Sequence, residues 1–312
     1  MKKLPIGIQT FEELIKGNFV YVDKTDIIYD LTNSGNYVFL SRPRRFGKSL
    51  LISTIKAYFE GKKELFKGLA MEHLESNWTV HPVIYINLND GVFSSIESLN
   101  ETLRVKIVDY ERKYDITQPE STLLSIRFQK VVEAAYKLTG QKVVILFDEY
   151  DKPLVDNIDK KELQEQMRQA MRPIFATLKS HDPYIRFAML TGVTKFSGLS
   201  IFSDLNNLND ISLNRRYAAI CGLTRKEIED NFKPYLLQFA DEQEISYEQL
   251  MQEMKQMYDG YHFSSDTTTD IYNPFSVLNT LDRMELTNMW FESGTPTMLL
   301  KLIKAKRYNL KQ

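Results

Sequence analysis

The stretch 37–51, YVFLSRPRRFGKSLL, constrains the fold of this chain more than any other. Residues 37–40 are mostly apolar and read as a short buried strand. A basic turn follows and ends in Gly47, Lys48 and Ser49. Residues 50–59, LLISTIKAYF, then place apolar side chains at helical spacing. A strand, a tight turn with Gly-Lys-Ser and a helix make a phosphate-binding geometry. Turn amides and the positive end of the helix dipole point at the same place. On this reading the cradle is Arg42, Pro43, Arg44, Arg45, Phe46, Gly47, Lys48, Ser49 and Leu50. Lys48 reaches the outer phosphates and the Ser49 hydroxyl stands on Mg²⁺. The usual pattern, G-x-x-x-x-G-K-[ST], places its first glycine where this chain has Arg42. The motif is therefore partial, and a basic turn capping a core helix has the same look.

A second stretch changes the balance. Residues 142–151 read KVVILFDEYD, a continuous apolar run that ends in two carboxylates. Such a run suits a strand buried on both faces of a parallel sheet. Acids at its carboxyl end lie where open α/β sheets bind ligands. Asp148 takes the Walker B role, holding Mg²⁺, and Glu149 the role of general base toward the attacking water. Surface acids at a strand end are the plainer reading of this stretch alone. The two stretches together, about a hundred residues apart, point to a nucleotide site.

The rest of the chain is read around that core. Residues 11–15 are expected as a short helix and 19–22 as a short strand. Asp23 or Thr25 either caps the helix that follows or takes part in nucleotide binding. Residues 83–89 read as a second core strand. Residues 95–114 and 123–138 read as amphipathic helices, the latter stopped by Gly140. Residues 150–159 are expected as a loop and 160–178 as a helix. Residues 186–190 are expected as a strand that ends at Thr191 and Gly192. A polar residue there, Thr191 or Thr194, is placed to sense a γ-phosphate, or else to cap a turn. A long polar loop, 197–208, and a fifth strand at 211–213 follow. Arg215 or Arg216 is placed to complete the charge on a γ-phosphate, in cis or from a neighbouring subunit; a solvated role is the plainer alternative. From residue 223 the alternation ceases. Thr224 and Glu227 form a capping box, and helices are expected at 225–240, 247–257, 274–284 and 295–305. The expected division is a nucleotide core with its lead-in over 1–221 and a helical or winged-helix-like unit over 222–312.

Charge and composition limit the partners. The 312 residues carry a formal net charge of −1, so nothing in the overall balance favours nucleic acid or an anionic membrane. No apolar run has the length of a bilayer span. The single cysteine, Cys221, fits a reducing cytosol, and two N-terminal lysines without an apolar run after them give no signal peptide. A cytoplasmic location is the expectation. Scattered histidines do not suggest zinc. The cationic residues in 301–311 read as a solvated tail.

These residues also resemble a known family, the AAA-ATPase-like proteins. The matching segments are FVYVDKTDII, FLSRPRRFGKSLL, ILFDEYDKPL, LTGVTKFSGLSIFSDLNNLNDISL, MYDGYHF, YNPFSVLN and WFESGTPTMLLKL. They run over nearly the whole chain. The family's P-loop also has arginine where the first glycine is expected, so Arg42 fits the resemblance. The resemblance implies an α/β, additional-strand P-loop NTPase of AAA/STAND type. It has a three-layer core with a mainly parallel sheet and a smaller C-terminal helical domain. It assigns Lys48 and Ser49 to Walker A, Asp148 and Glu149 to Walker B, and Thr191 to a sensor-like position. Such proteins usually continue into a nuclease-like domain of the PD-(D/E)XK type, for which this chain has no room. It is expected to be either truncated or a short member.

Two functions follow from the sequence. One is an ATPase that binds Mg²⁺-ATP and hydrolyses it with Lys48, Glu149, Thr191 and Arg216 as the catalytic group. The other is a slow or inactive nucleotide switch that binds ATP or ADP and signals to a protein partner or to copies of itself. A small-molecule kinase lacks recognisable lid arginines. GTP specificity lacks an Asn-Lys-x-Asp motif.

Overall fold

The computed structural model describes residues 1–119, 121–194, 208–258, 260–264 and 270–287. The expected helix at 295–305, the basic tail and nearly all of the loop at 197–208 lie outside them.

Five strands form one parallel sheet: β1 (Tyr37–Ser41), β2 (Val83–Asn87), β3 (Val143–Asp148), β4 (Ile185–Gly192) and β5 (Asn209–Asp210). Their order is β2-β3-β4-β1-β5. The Gly-Lys-Ser strand β1 and the acidic strand β3 are therefore separated by β4, the additional strand of this P-loop NTPase fold. Every residue of β3 is buried, as a strand covered on both sides requires. The period-2 alternation divides it cleanly. Val143, Ile145 and Phe147 face one apolar cluster, and Val144 and Leu146 face the other.

Helices fill the two outer layers. On one face lie α1 (Phe11–Lys16), α2 (Thr25–Ser34), α3 (Lys48–Phe59) and α4 (Ala70–Leu74), which bury Phe11, Ile28, Ile52 and Met71 against the sheet. On the other lie α5 (Ile96–Lys113), α6 (Leu124–Thr139) and α8 (Lys161–Ser180), with Leu103, Val131 and Met171 among the buried side chains. Gly140 ends α6 in the left-handed conformation, as its position in the sequence predicts. Beyond the sheet, α9 (Arg225–Glu242), α10 (Tyr247–Tyr258) and α11 (Pro274–Arg283) gather a third cluster around Phe232, Met251 and Leu281, which Val20 of the lead-in joins. Thr224 and Glu227 close the expected capping box at α9.

Four local expectations are corrected. Residues 19–22 make one bridge, Lys3 to Phe19, in place of a strand. The loop after β3 contains a short helix, α7 (Lys152–Asp156), begun by Pro153 in its first turn. The fifth strand falls two residues early, at Asn209–Asp210, because the edge of β1 selects it: those two residues pair with Val38 and Phe39. A small antiparallel pair, β6 (Leu223–Thr224) and β7 (Ile271–Tyr272), joins segments far apart in sequence and had no local signal.

Candidate functional site

The parallel register brings the chemistry-bearing residues to one sheet edge. Leu40 lies opposite Thr191, Ser41 opposite Gly192, and Phe147 opposite Leu190. The loop 42–47, Thr191 and Asp148 thus leave the sheet side by side. The loop turns into α3 through Gly47, whose φ of +87° is left-handed and costs a glycine little. Arg45 is also left-handed, at +65°. Gly47 has no side chain to cap α3, and no acid stands in the first turn. The leading amides and the dipole of α3, with Ser49 and Leu50 in that turn, are thus offered to an anion.

Lys48 is almost fully buried. Its ammonium donates to the carbonyls of Arg42 (3.1 Å) and Pro43 (3.2 Å) and pairs with Glu149 Oε1 at 3.2 Å. Glu149 stands at φ +53°, a left-handed position for a non-glycine residue. Asp148 is fully buried. Its Oδ1 accepts a 2.6 Å bond from Thr191 Oγ1, and its Oδ2 has no partner among the described residues. A buried carboxylate oxygen left bare at the sheet edge from which the Lys48–Ser49 turn also leaves fits Mg²⁺, which keeps much of its water and takes one or two protein oxygens. Of the two threonines considered as sensors, Thr191 is the one bonded to Asp148. Thr194 is bonded to Asp151.

Asp151 was missed in the sequence reading. It is fully buried, and its Oδ2 accepts from Val193 N (2.9 Å), Thr194 N (2.7 Å) and Thr194 Oγ1 (3.0 Å). Burial pushes its carboxyl up to about 6; the Thr194 bonds oppose the rise and the nearby Glu149 charge adds to it. The available signal was the third acid of Asp-Glu-Tyr-Asp, passed over as part of a loop.

Three loop side chains expected at the phosphates point elsewhere. Arg42 is 1% exposed. Its guanidinium donates to the carbonyls of Ser41 (2.9 Å), Ser212 (2.7 Å), Tyr217 (3.3 Å) and Ala218 (3.5 Å), and lies 3.9 Å from the centre of the Phe263 ring. Burial pulls its pKa down to about 10. A guanidinium taken out of water needs acceptors for its donors, and the chain after β5 supplies them as carbonyls. Arg45 stacks on Phe275 at 3.9 Å. Phe46 is fully buried against Tyr261 and Phe263, with ring centres 4.7 and 5.4 Å away. Arg44 is half-buried, with no such contact among the described residues. Arg216 pairs with Asp30 on α2.

A mostly apolar cavity of about 110 Å³ adjoins the loop at Gly47. Val20, Tyr21, Leu51, Ile220, Phe232 and Leu278 are among its walls. Among the described residues Lys24 is the one charged residue lining it, and it is tied to Glu227 at 2.6 Å. Cys221 also lines it, and burial pushes its thiol up. The neighbours of Lys24 have structural duties. Asp23 Oδ1 accepts from Thr25 N (2.9 Å) at the start of α2, and its Oδ2 accepts from Ala70 N (2.7 Å) at α4; Thr25 Oγ1 accepts from Met71 N (3.0 Å). The N-cap of α2 is Lys24 and not Asp23 or Thr25, whose side chains tie the start of α2 to the start of α4. Lys24 gave no signal of its own.

The family described as "Predicted AAA-ATPase" matches residues 5–202. A protein of Azotobacter chroococcum mcd 1, described as an uncharacterized protein in the vnfD 5′ region, is 39% identical over 310 residues. Those cover 98% of this chain and 57% of that protein, so the chain spans little more than half of its relative's length. Among solved structures, Cdc6p from Pyrobaculum aerophilum is similar over 88% of this chain and 59% of its own, with 14% identity and a TM-score of 0.35. With a family match over most of its length and a relative at this identity, the chain belongs to the AAA-ATPase-like family.

Proposed function

We propose that the chain binds Mg²⁺-ATP at this edge and hydrolyses it. The observation that carries the proposal is the 3.2 Å pair between Lys48 and Glu149, which sets the P-loop cation beside the candidate base. An entering phosphate competes for the Lys48 ammonium through stronger, charge-assisted bonds than two carbonyls give. Glu149 is then released to accept a proton from, and orient, the attacking water. Ser49 and the bare Asp148 Oδ2 are the oxygens that would hold Mg²⁺, with Thr191 fixing the carboxylate. When bound, Mg²⁺ supplies positive charge across the phosphate oxygens. Phosphate contact from the loop comes from its backbone, Lys48 and Arg44. The apolar cavity beside Gly47 suits the base, with the Lys24–Glu227 pair at its wall.

The same loop gives a route for signalling to a second unit, which we place after residue 221. Arg42, Arg45 and Phe46 grip Phe263, Phe275 and Tyr261, so a shift of the P-loop on nucleotide binding moves the segment before α11 and the first turn of α11 itself. This clasp favours, as a second reading, a slow switch that acts on a protein partner or on a copy of itself. Arg216, with 59% of its side chain exposed, is the residue offered to a neighbouring copy.

Calorimetric titration of ADP and ATP, with and without Mg²⁺, tests the site on the wild type and Lys48→Ala. Micromolar, Mg²⁺-dependent binding lost in the variant is expected, on the order of 1 μM in the wild type. Glu149→Gln should bind ATP but not turn it over. No binding by the wild type sinks the proposal, and wild-type turnover by Glu149→Gln sinks the base. Tight binding with background turnover selects the switch.

A further inference from the structure

The strongest unassigned feature is the stitching behind the acidic turn. Tyr150 N donates to Thr191 O (3.0 Å) and Tyr150 Oη to Thr194 O (3.0 Å), while Asp151 Oδ2 gathers Val193 N, Thr194 N and Thr194 Oγ1. The end of β4 is thus tied to the turn after β3 at five points, just behind the pair that faces the P-loop. Gly192 serves the same closeness: a Cβ there would lie 2.6 Å from Asp151 Oδ1 and 2.7 Å from Tyr150 Cε1. Left-handed Glu149 sits between β3 and this anchor. Such a conformation is strained for a residue with a side chain and persists only where its surroundings hold it.

We propose that Asp151 is the positioning residue of the site: it locks the end of β4 to the acidic turn and so sets where Thr191 and Glu149 stand. Asp151 does not touch the phosphates and acts through its neighbours. Thr191, two residues before Val193, holds Asp148 Oδ1 and thereby aims Oδ2. Glu149, two residues before Asp151, cannot relax its backbone while Tyr150 and Asp151 are fastened. Three donors converge on one carboxylate oxygen, and the other oxygen is buried with no partner among the described residues. The inward side of this turn is therefore fixed by geometry at the cost of burying a carboxylate.

The inference rests on the Mg²⁺-ATP reading, and its test separates the two. Steady-state turnover of Mg²⁺-ATP, ADP titrations with and without Mg²⁺, and amide exchange at Val193 and Thr194 are measured on the wild type, Asp151→Ala and Asp151→Asn. The alanine variant should lose about 10- to 100-fold in kcat, the range seen when a partner orienting a site ligand is removed. Its Kd for Mg²⁺-free ADP should stay within about twofold, because Lys48 and the P-loop amides are untouched. Exchange at the two amides should speed up. The asparagine variant keeps a carboxamide oxygen for the same three donors, and its kcat should return to within about threefold of the wild type. An alanine variant with wild-type kcat overturns the inference. So does an asparagine variant no better than alanine, since the charge and not the clamp would then matter. Should alanine fail to fold, Asp151→Glu, which shifts the carboxylate by a methylene, must show the same fall in kcat at constant ADP affinity. A wild type that binds Mg²⁺-ADP without turnover sinks the ATPase reading alone, and the gain in ADP affinity from Mg²⁺ replaces kcat as the readout. A wild type that holds no nucleotide overturns both.

Discussion

Restoring the consensus glycine of the P-loop, by Arg42→Gly, should damage this protein. Position 42 does not have a left-handed backbone, so glycine meets no conformational need there. What it removes is a buried guanidinium with two good bonds, to Ser41 and Ser212, and two long ones, to Tyr217 and Ala218. Each good bond from a charged donor is worth about 1.5–3 kcal/mol, and the contact with Phe263 about 1–2 kcal/mol in a desolvated place. Relief of the buried charge, evident in the lowered pKa of Arg42, offsets part of this. The space vacated against Phe263 adds a cavity cost. A net loss of about 3–5 kcal/mol follows. In a chain of this size that lowers the midpoint of thermal unfolding by about 5–8 °C. Urea and thermal denaturation read it, with Arg42→Lys as the control: an ammonium keeps the charge but cannot fork across carbonyls on both sides, and should fall between. A glycine variant with an unchanged midpoint and tighter ADP binding would refute the reasoning, for it would make Arg42 a poor substitute for glycine and not a structural bolt.

Two further outcomes follow from the stitched turn. Gly192→Ala places a methyl into the carboxylate of Asp151 and the ring of Tyr150, and should cost about 1–3 kcal/mol in urea unfolding; a change below about 0.5 kcal/mol would mean that the turn yields freely. Asp151 holds its proton more tightly folded than unfolded, where an aspartate titrates near 3.8. Stability should therefore fall as pH rises from about 4 to about 6, by up to about 3 kcal/mol from this one group, and level off above that. Asp151→Asn should remove that slope. Unfolding curves with the same pH dependence in both proteins would show that the carboxyl is not raised.

Much of the core was legible because its signals are local. The apolar run 143–147 is long enough to require burial on both faces, and Gly-Lys-Ser between a strand and an amphipathic helix leaves few other geometries. Gly140, Thr224 and Glu227 marked helix ends through backbone chemistry confined to four residues. The sequence by itself puts Lys48, Glu149, Asp148 and Thr191 at one edge, because a parallel sheet delivers its carboxyl ends together.

Tertiary structure alone decided what the side chains do once they are there. By sequence Arg42, Arg45 and Phe46 are a basic turn near phosphate; in space they are bolts to Ser212, Phe263, Phe275 and Tyr261, up to about 230 residues away. Lys24 meets Glu227 across 203 positions, and β6 meets β7 across a gap no propensity spans. Asp151 becomes a clamp only because β4 ends against it. The division has a physical reason. Strands, helices and caps are set by backbone bonds and periodic burial among near neighbours, which a sequence displays. The partner of a buried charge is set by whichever carbonyl or ring the completed fold brings within about 3–4 Å, and that depends on the whole chain.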